Sequence, residues 1–501
     1  MLSISDYLES EGPHLTSEVA SWLTTQGISS DAARKRLSRK QPPVRTFPVP
    51  LFPKGAGFIY LEKQRKEERF WQALHNALRT TGSVYGIALD GVLARRGAVS
   101  RQEFSVISGA TERPVKKQVT AETALERLVS AGLLSINLDN NDQSIVAIAR
   151  AEIGYADIDG IRARGIAEGV ILDGLREWAK NIGTASYNQI RIRGEEGLEP
   201  IQQFKFDLAG PSYLLPLRRG TKGNRPLGFM VADVFSEGIL DEHQVRYFIR
   251  KAHALHATLT GGSVFPILVA DGFTGPALTT GHAAGIMMAT PSRLFGRAVG
   301  DGLKSLVQTL NRAASYASAD SPERLTRLVS SLSEIEGRAR NLRGPLFELL
   351  AAYLVRRDSV SISMGVRAKD PGSGKQADID VLKVAAMNAE CTAIECKGKE
   401  PGGFITDEDV RVWLGKVAVM QAYLRTQERF SEATISFELW TSGTFTEEAL
   451  QLLHAEQKRR TKFPIRWKNG QDVLAVANRF KEKAVADTLQ QHFLRHPLSV
   501  S

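Results

Sequence analysis

The stretch that decides the fold reads Ile394-Glu395-Cys396-Lys397. Ahead of it stand Ala377-Asp378-Ile379-Asp380-Val381-Leu382 and, further upstream, Gly344-Pro345-Leu346-Phe347-Glu348-Leu349-Leu350. In an extended strand successive side chains alternate between faces, so Glu395 and Lys397 share one face while Ile394 and Cys396 take the other. The same rule pairs Asp378 with Asp380 and turns Ile379 and Val381 toward a core. Charges gathered on one face among apolar residues are costly unless they are paired or bind metal. Asp380 and Glu395 supply two carboxylates, enough for Mg²⁺, which keeps waters and a phosphate in the rest of its shell. Lys397, on the same face, is placed to orient a metal-bound water or to neutralise charge at phosphorus. Glu348 lies early in a helical pattern whose apolar members are Leu346, Phe347, Leu350, Ala351 and Leu354. From there it is placed to add a ligand or anchor a water.

Glu348, Asp380 and the triplet Glu395-Cys396-Lys397 resemble the PD-(D/E)XK nuclease superfamily, which has the restriction-endonuclease-like fold. The resemblance spans roughly residues 335–470. It implies that Asp380 and Glu395 bind Mg²⁺, with Mn²⁺ as a substitute, and that Lys397 assists the attacking water. Glu348 matches the early helical Glu of that family, whereas Ile379 stands where the family has Pro. The α-β-α-β tail that the family places after its triplet has a counterpart here. It consists of an amphipathic helix from Asp407 to Arg425, a strand Ala433–Trp440, a helix Thr446–Arg460 and a strand Pro464–Trp467. Lys416 and Gln421 on the first of these helices are placed to face the cleft.

A chain of 501 residues implies several domains, and 43% hydrophobic with 24% charged residues is ordinary for globular protein. The formal net charge of +10 favours an acidic partner, nucleic acid being the commonest. The two cysteines, Cys391 and Cys396, make no CxxC pattern, which argues for a reducing compartment and against a disulfide framework. No run of eighteen apolar residues occurs, and Asp6, Glu9 and Glu11 replace a basic leader, so no signal peptide, no membrane span and a cytoplasmic location are expected.

Residues 1–65 read as a winged helix-turn-helix. Leu15 to Leu23 is amphipathic, Gln26-Gly27-Ile28-Ser29-Ser30 turns, and Ser30 offers an N-cap for a helix with Ala32, Ala33 and Leu37 inward. Its other face carries Arg34, Lys35, Arg36, Arg39 and Lys40. A hairpin is expected from Val44–Leu51 and Gly57–Leu61 around Pro53-Lys54-Gly55. A basic helix followed by a wing suits a DNA duplex, and a solvated face in an adaptor domain stays open. Residues 66–150 look like a second, less basic unit of this type. There Phe70, Leu74 and Leu78 share a helical face, Ile87 and Leu93 suggest another, and Ile145 to Ile148 is an apolar run.

Residues 155–300 carry echoes of the C-terminal part at a spacing of roughly 160–180 residues. Phe273 to Leu278 is echoed by Phe445 to Leu450. Asp241-Glu242, Val245-Arg246 and Lys251 are echoed by Asp407-Glu408, Val410-Arg411 and Lys416. Arg164-Gly165 and Glu168 answer Arg343-Gly344 and Glu348. A diverged tandem duplication puts Asp207 where Asp380 stands, Asp233 where Glu395 stands and Phe235 where Lys397 stands. The middle copy therefore lacks the triplet's cation and reads as inactive, with a second working site using a relocated Lys as the alternative.

Gly372-Ser373-Gly374-Lys375 lacks the first Gly of a phosphate loop and has Gln376 in place of its Ser/Thr, so it is expected to be a turn. No metal-ligand grouping of histidines is evident. The expected architecture is α/β and multidomain. Winged-helix units at 1–65 and 66–150 precede a degenerate nuclease-like domain at 155–300, a helical connector at 301–334 and a catalytic domain at 335–501. The expected function is a Mg²⁺-dependent DNA endonuclease, with bacterial restriction or antiphage defence suggested by architectural analogy alone. DNA is the expected partner, together with a homodimer mate or a partner protein. The alternatives are a non-catalytic DNA-binding regulator that keeps the fold and a nuclease subunit of a larger, partner-dependent complex.

Overall fold

In the computed structural model a five-stranded sheet carries Asp380 and Glu395, and a second sheet with the same strand order precedes it in the chain. The structure describes residues 3–39, 42–138, 144–158, 160–185, 189–212, 214, 228–259, 264–311, 343–385, 390–430 and 432–495. The chain is mixed α/β and divides into two units. The first comprises Met1–Leu138, Ser144–Ile161 and Trp178–Thr290, the second Asp139–Gln143, Arg162–Glu177 and Pro291–Ser501.

The first unit begins with α1 (Ile4–Glu11), β1 (His14–Leu15), α2 (Thr16–Thr25), α3 (Ser30–Ser38), β2 (Val44–Thr46) and β3 (Phe58–Leu61). The three strands form an antiparallel sheet in the order β1-β3-β2. Ser29, rather than Ser30, caps α3: its backbone is extended and its Oγ accepts the Ala32 N–H at 3.4 Å, whereas Ser30 is already helical. Ala33 and Leu37 are buried, Ala32 is half-buried, and Arg34, Lys35, Arg36 and Arg39 are exposed. Lys40 lies outside the described residues. The hairpin strands are shorter than their apolar pattern predicts. Pro48, Pro50 and Pro53 remove the backbone donors that would extend the ladder.

Next come α4 (Glu68–Thr80), α5 (Val84–Ala94), β4 (Ala98–Ser100), α6 (Arg101–Ile107), α7 (Ala121–Ser130), β5 (Leu134–Leu138) and β6 (Ser144–Ile148). Their sheet is antiparallel in the order β4-β6-β5. Phe70, Leu74 and Leu78 are buried on one face of α4 as expected. In α5 the buried face is Tyr85, Ala88, Leu89 and Val92, which the helical period groups together, and it leaves Ile87 and Leu93 half-buried.

After α8 (Ile161–Asn181) the chain runs through β7 (Arg191–Ile192), β8 (Leu208–Ser212), β9 (Gly228–Val234) and β10 (Ile239–Leu240). It continues into α9 (Arg246–Thr258), β11 (Val264–Val269), β12 (Gly272–Phe273), α10 (Gly275–Ala283) and β13 (Met287–Ala289). The sheet order is β13-β11-β9-β8-β7, antiparallel across β7, β8 and β9 and parallel across β9, β11 and β13. A short parallel ladder joins β10 to β12.

The second unit takes Arg162–Glu177 of α8 and holds α11 (Pro291–Phe295), α12 (Arg297–Asn311), α13 (Arg343–Val355), β14 (Ser361–Lys369), β15 (Gln376–Ala385), β16 (Glu390–Lys397) and β17 (Phe404–Ile405). Then come α14 (Asp407–Thr426), β18 (Thr434–Thr441), β19 (Thr444–Phe445), α15 (Glu447–Arg459), β20 (Ile465–Lys468), α16 (Gly470–Arg479) and α17 (Lys483–Leu489). The expected connector enters as α12, and its remainder lies outside the described residues. Sheet order is β14-β15-β16-β18-β20, with β14, β15 and β16 antiparallel and β16, β18 and β20 parallel. A parallel ladder joins β17 to β19.

The two sheets therefore share strand order, strand direction and side ladder. They also share a cap: Thr274 Oγ1 accepts the Ala277 N–H to start α10, and Thr446 Oγ1 accepts the Ala449 N–H to start α15. The core of the C-terminal sheet is Leu382, Val384, Cys391, Ala393, Ile435, Phe437 and Leu439 packed with Val410, Trp413, Val417 and Met420 of α14. Each buried Leu, Ile, Val, Phe or Met side chain among these contributes about 1.5–3 kcal/mol of transfer free energy, which fixes the strands that carry the acids. The Gly372–Lys375 segment is the turn between β14 and β15, closed by the Gly374 N–H on Asp370 O and the Ser373 hydroxyl on Asp370 Oδ2.

Candidate active site

The β15–β16 ladder pairs Val381 with Ile394, so its next step sets Asp380 opposite Glu395. Asp380 Oδ2 accepts the Cys396 N–H at 2.7 Å, which fixes the carboxylate against the neighbouring strand. Glu395 is 2% exposed and its Oε1 accepts from two ammonium groups, Lys397 at 2.8 Å and Lys416 at 2.7 Å. Lys397 lies two residues along the same strand, as the alternation predicts, and Lys416 comes from α14. Glu395 Oε2 is buried without a hydrogen-bond partner among the described residues. Glu348 enters from α13, where Leu346, Phe347, Leu350, Ala351 and Leu354 are all buried, and Arg162 of α8 reaches its Oε2 at 3.2 Å. The structure thus brings together all four residues the sequence selects, Glu348, Asp380, Glu395 and Lys397.

Three acids held close out of water cannot all ionise at ordinary cost. Burial first, then the charges of Glu348 and Glu395, push the Asp380 carboxyl up to about 8. Burial also raises Glu348, opposed by the charge of Arg162. Burial disfavours the Lys397 cation, but the charge of Glu395 and its hydrogen bond outweigh that and raise the ammonium above its usual range. Cys391 and Cys396 are buried free thiols, and burial lifts Cys391 to about 11, so neither is a nucleophile at neutral pH.

Asp380 and Glu395 suit a hard divalent cation: both are oxygen donors on rigid strands, one has an unpartnered buried oxygen, and burial with the neighbouring acids raises the carboxyl of the other. Among the described residues no group of three or more His, Cys, Asp or Glu side chains forms a ready-made cage. Two carboxylates are within the number that Mg²⁺ takes from protein when water and phosphate fill the rest of its shell.

The middle sheet treats the equivalent positions differently. Asp207 and Asp233 face each other beside the β8–β9 ladder, the Asp207 N–H donating to Asp233 Oδ1 at 3.0 Å. Lys251 of α9, buried with both acids, spends its ammonium on Asp233 Oδ2 at 2.6 Å, Lys205 O at 2.7 Å and Val106 O at 2.9 Å. Arg95, just past α5, donates to Asp207 Oδ2 at 2.8 Å, to Glu103 Oε1 at 2.8 Å and to Val234 O at 3.2 Å. Arg193 adds a bond to Glu103 at 2.7 Å. Phe235 stands in the register position of Lys397 and lies under the Arg95 guanidinium.

Lys416 was visible in sequence as a residue placed to face the cleft and as the counterpart of Lys251, and it does reach Glu395. Arg162 left no sequence signal, because a lone Arg at a helix start has many explanations. Gln421 is half-buried on α14. In the first unit, Arg34, Lys35, Arg36 and Arg39 form a separate exposed basic face. Beside it a hollow of about 480 Å³ is lined by Ser3, Ser5, Lys35, Arg36 and Arg39 among others. Among the described residues no helix is long and apolar enough to cross a membrane. No family model matches the chain, and no curated protein matches it either.

Proposed function

We propose that the chain is a metal-dependent deoxyribonuclease of the PD-(D/E)XK type, with its cutting site in the C-terminal sheet. The observation that carries this reading is Glu395, a buried carboxylate opposite Asp380 with two lysines on one oxygen and none on the other. The order α13, β14, β15, β16, α14, β18 agrees with what the resemblance implies. Asp380 and Glu395 would hold Mg²⁺, and the ion would supply Lewis-acid polarisation of the phosphoryl oxygens and a lowered pKa for a bound water. Lys397 would hold the attacking water or stabilise charge at phosphorus, Lys416 would keep Glu395 aimed, and Glu348 would anchor the outer face of the cleft. The exposed α3 face and the strand order β1-β3-β2 fit a winged helix that grips duplex DNA. The unit built from α5, α6, α7 and β4, β5, β6 fits a second one. The test is incubation of supercoiled plasmid with Mg²⁺ and wild type, Asp380→Ala or Lys397→Ala protein. Cleavage lost in both variants supports the reading, and cleavage surviving in both sinks the site.

A further inference from the structure

Arg162 is a cation at the cleft that neither the paired strands nor the resemblance explains. It sits on the first turn of α8, and its Nη2 lies 3.2 Å from Glu348 Oε2. The Arg162 side chain is 39% exposed and that of Glu348 15%, so the guanidinium covers the carboxylate from the solvent side. The neighbouring strand is shaped to admit it. Gly365 on β14 adopts φ +61°, and a Cβ there would fall 1.6 Å from Arg162 Nη1. Gly365 stands between the pairs Met364–Val381 and Val366–Ile379, which is the rung of Asp380. The guanidinium therefore lies over the rung that carries one metal-binding candidate and against the acid that flanks it.

The other cations at this cleft are committed. Lys397 and Lys416 both point at Glu395 Oε1. Among the described residues Arg162 makes one bond, to Glu348, and a guanidinium has five N–H donors in a planar fork suited to phosphate. A buried Arg closing an ion lock would be enclosed, as Arg95 is, whereas Arg162 faces water.

We propose that Arg162 binds a backbone phosphate of the DNA strand being cut, exchanging Glu348 for the phosphate oxygens when the duplex enters the cleft. This rests on the nuclease reading above, but its test is separable from cleavage. The affinity of the full chain for a short duplex is measured in Ca²⁺ across a salt series, for wild type, Arg162→Ala and Arg162→Lys. Loss of one phosphate contact lowers the magnitude of the slope of log K against log salt by about 0.9 in Arg162→Ala, and Arg162→Lys restores it. With Mg²⁺ at subsaturating DNA, Arg162→Ala cuts more slowly by the factor its affinity has lost, at saturating DNA it cuts at the wild-type rate, and its thermal midpoint is unchanged. Arg162→Lys recovers only part of the subsaturating rate, since a point charge cannot replace the fork. An unchanged salt slope overturns the proposal whether or not the protein cuts. Faster cutting by Arg162→Ala also overturns it, because the residue would then be a plug. Failure of the nuclease reading shows elsewhere, as cutting that persists in Asp380→Ala.

Discussion

The two five-stranded sheets share a plan and differ in what neutralises their acids. Each sets two carboxylates opposite one another at the same rung, Asp207 with Asp233 and Asp380 with Glu395, and each brings a lysine from the following helix, Lys251 or Lys416. In the middle sheet the protein supplies the remaining charge, through Arg95 and Arg193, and seals it: Arg95 and Lys251 are 2% and 0% exposed. In the C-terminal sheet the lysines stay about one-third exposed, Glu395 keeps an unpartnered oxygen, and Asp380 is driven up to about 8. A carboxylate pair supplied with cations by its own chain acts as a lock between elements. A pair whose cations stay part-exposed, and one of whose buried oxygens has no partner among the described residues, is a place for something to bind.

The comparison breaks most visibly in activity. Asp380→Ala or Lys397→Ala is expected to slow Mg²⁺-dependent plasmid cleavage by about 10³-fold or more, the several kcal/mol that metal and charge stabilisation supply. Adding Phe235→Lys to Asp380→Ala restores none of it, because Arg95 and Lys251 already occupy the middle site. Gel quantification of nicked and linear products checks both.

Stability gives the second contrast. Lys251→Met leaves Asp233 buried and unpaired, which costs about 3–5 kcal/mol, while Lys416→Met, at a part-exposed pair, changes stability by less than about 1 kcal/mol. Urea denaturation followed by tryptophan fluorescence separates the two, and equal losses would mean that both sites are structural.

Acid sharpens the same point. Glu103 is largely covered, which alone would raise its carboxyl, but Arg95 and Arg193 hold it down to about 2 from an ordinary 4.5. Its folded pKa is depressed, so its stabilisation is complete above about pH 4.5 and is lost as pH falls toward 2. The shift corresponds to roughly 3 kcal/mol. Glu103→Gln should be less stable than wild type by about that amount at pH 7 and should lose much of the difference by pH 2.5. A difference independent of pH would contradict the lock. The smallest expected effect lies in the first unit. Each of Arg34, Lys35, Arg36 and Arg39 changed to Ala should reduce the salt slope of duplex binding by about 0.9 if it meets a phosphate.

Much of this was legible in the chain. The alternation in Ala377–Leu382 and Ala393–Lys397 predicted which residues face together, because strand geometry leaves two faces only. The echo of Phe273–Leu278 in Phe445–Leu450 proved to be a ladder residue followed by a Thr-capped helix in both sheets. The middle site's loss of its triplet lysine was legible at Phe235. The identity of what replaced it was not, since Arg95 lies 112 residues from Asp207 and only the fold brings the residue after α5 to Asp207 and to Val234 of β9. Arg162 was hidden for the same reason, standing 186 residues from Glu348. Local errors came from local chemistry. Ser29 outcompeted Ser30 as the cap because its backbone was the extended one, and prolines cut short the hairpin at Val44–Thr46.

The most direct test of the central claim, that the C-terminal acids take up a divalent cation and the middle acids do not, is a Mn²⁺ titration of the full chain followed by electron paramagnetic resonance, for wild type and Glu395→Gln. Binding by wild type that disappears in Glu395→Gln is the predicted result. Binding that survives intact in Glu395→Gln would contradict it, and would place the metal, and with it the cutting site, elsewhere in the chain.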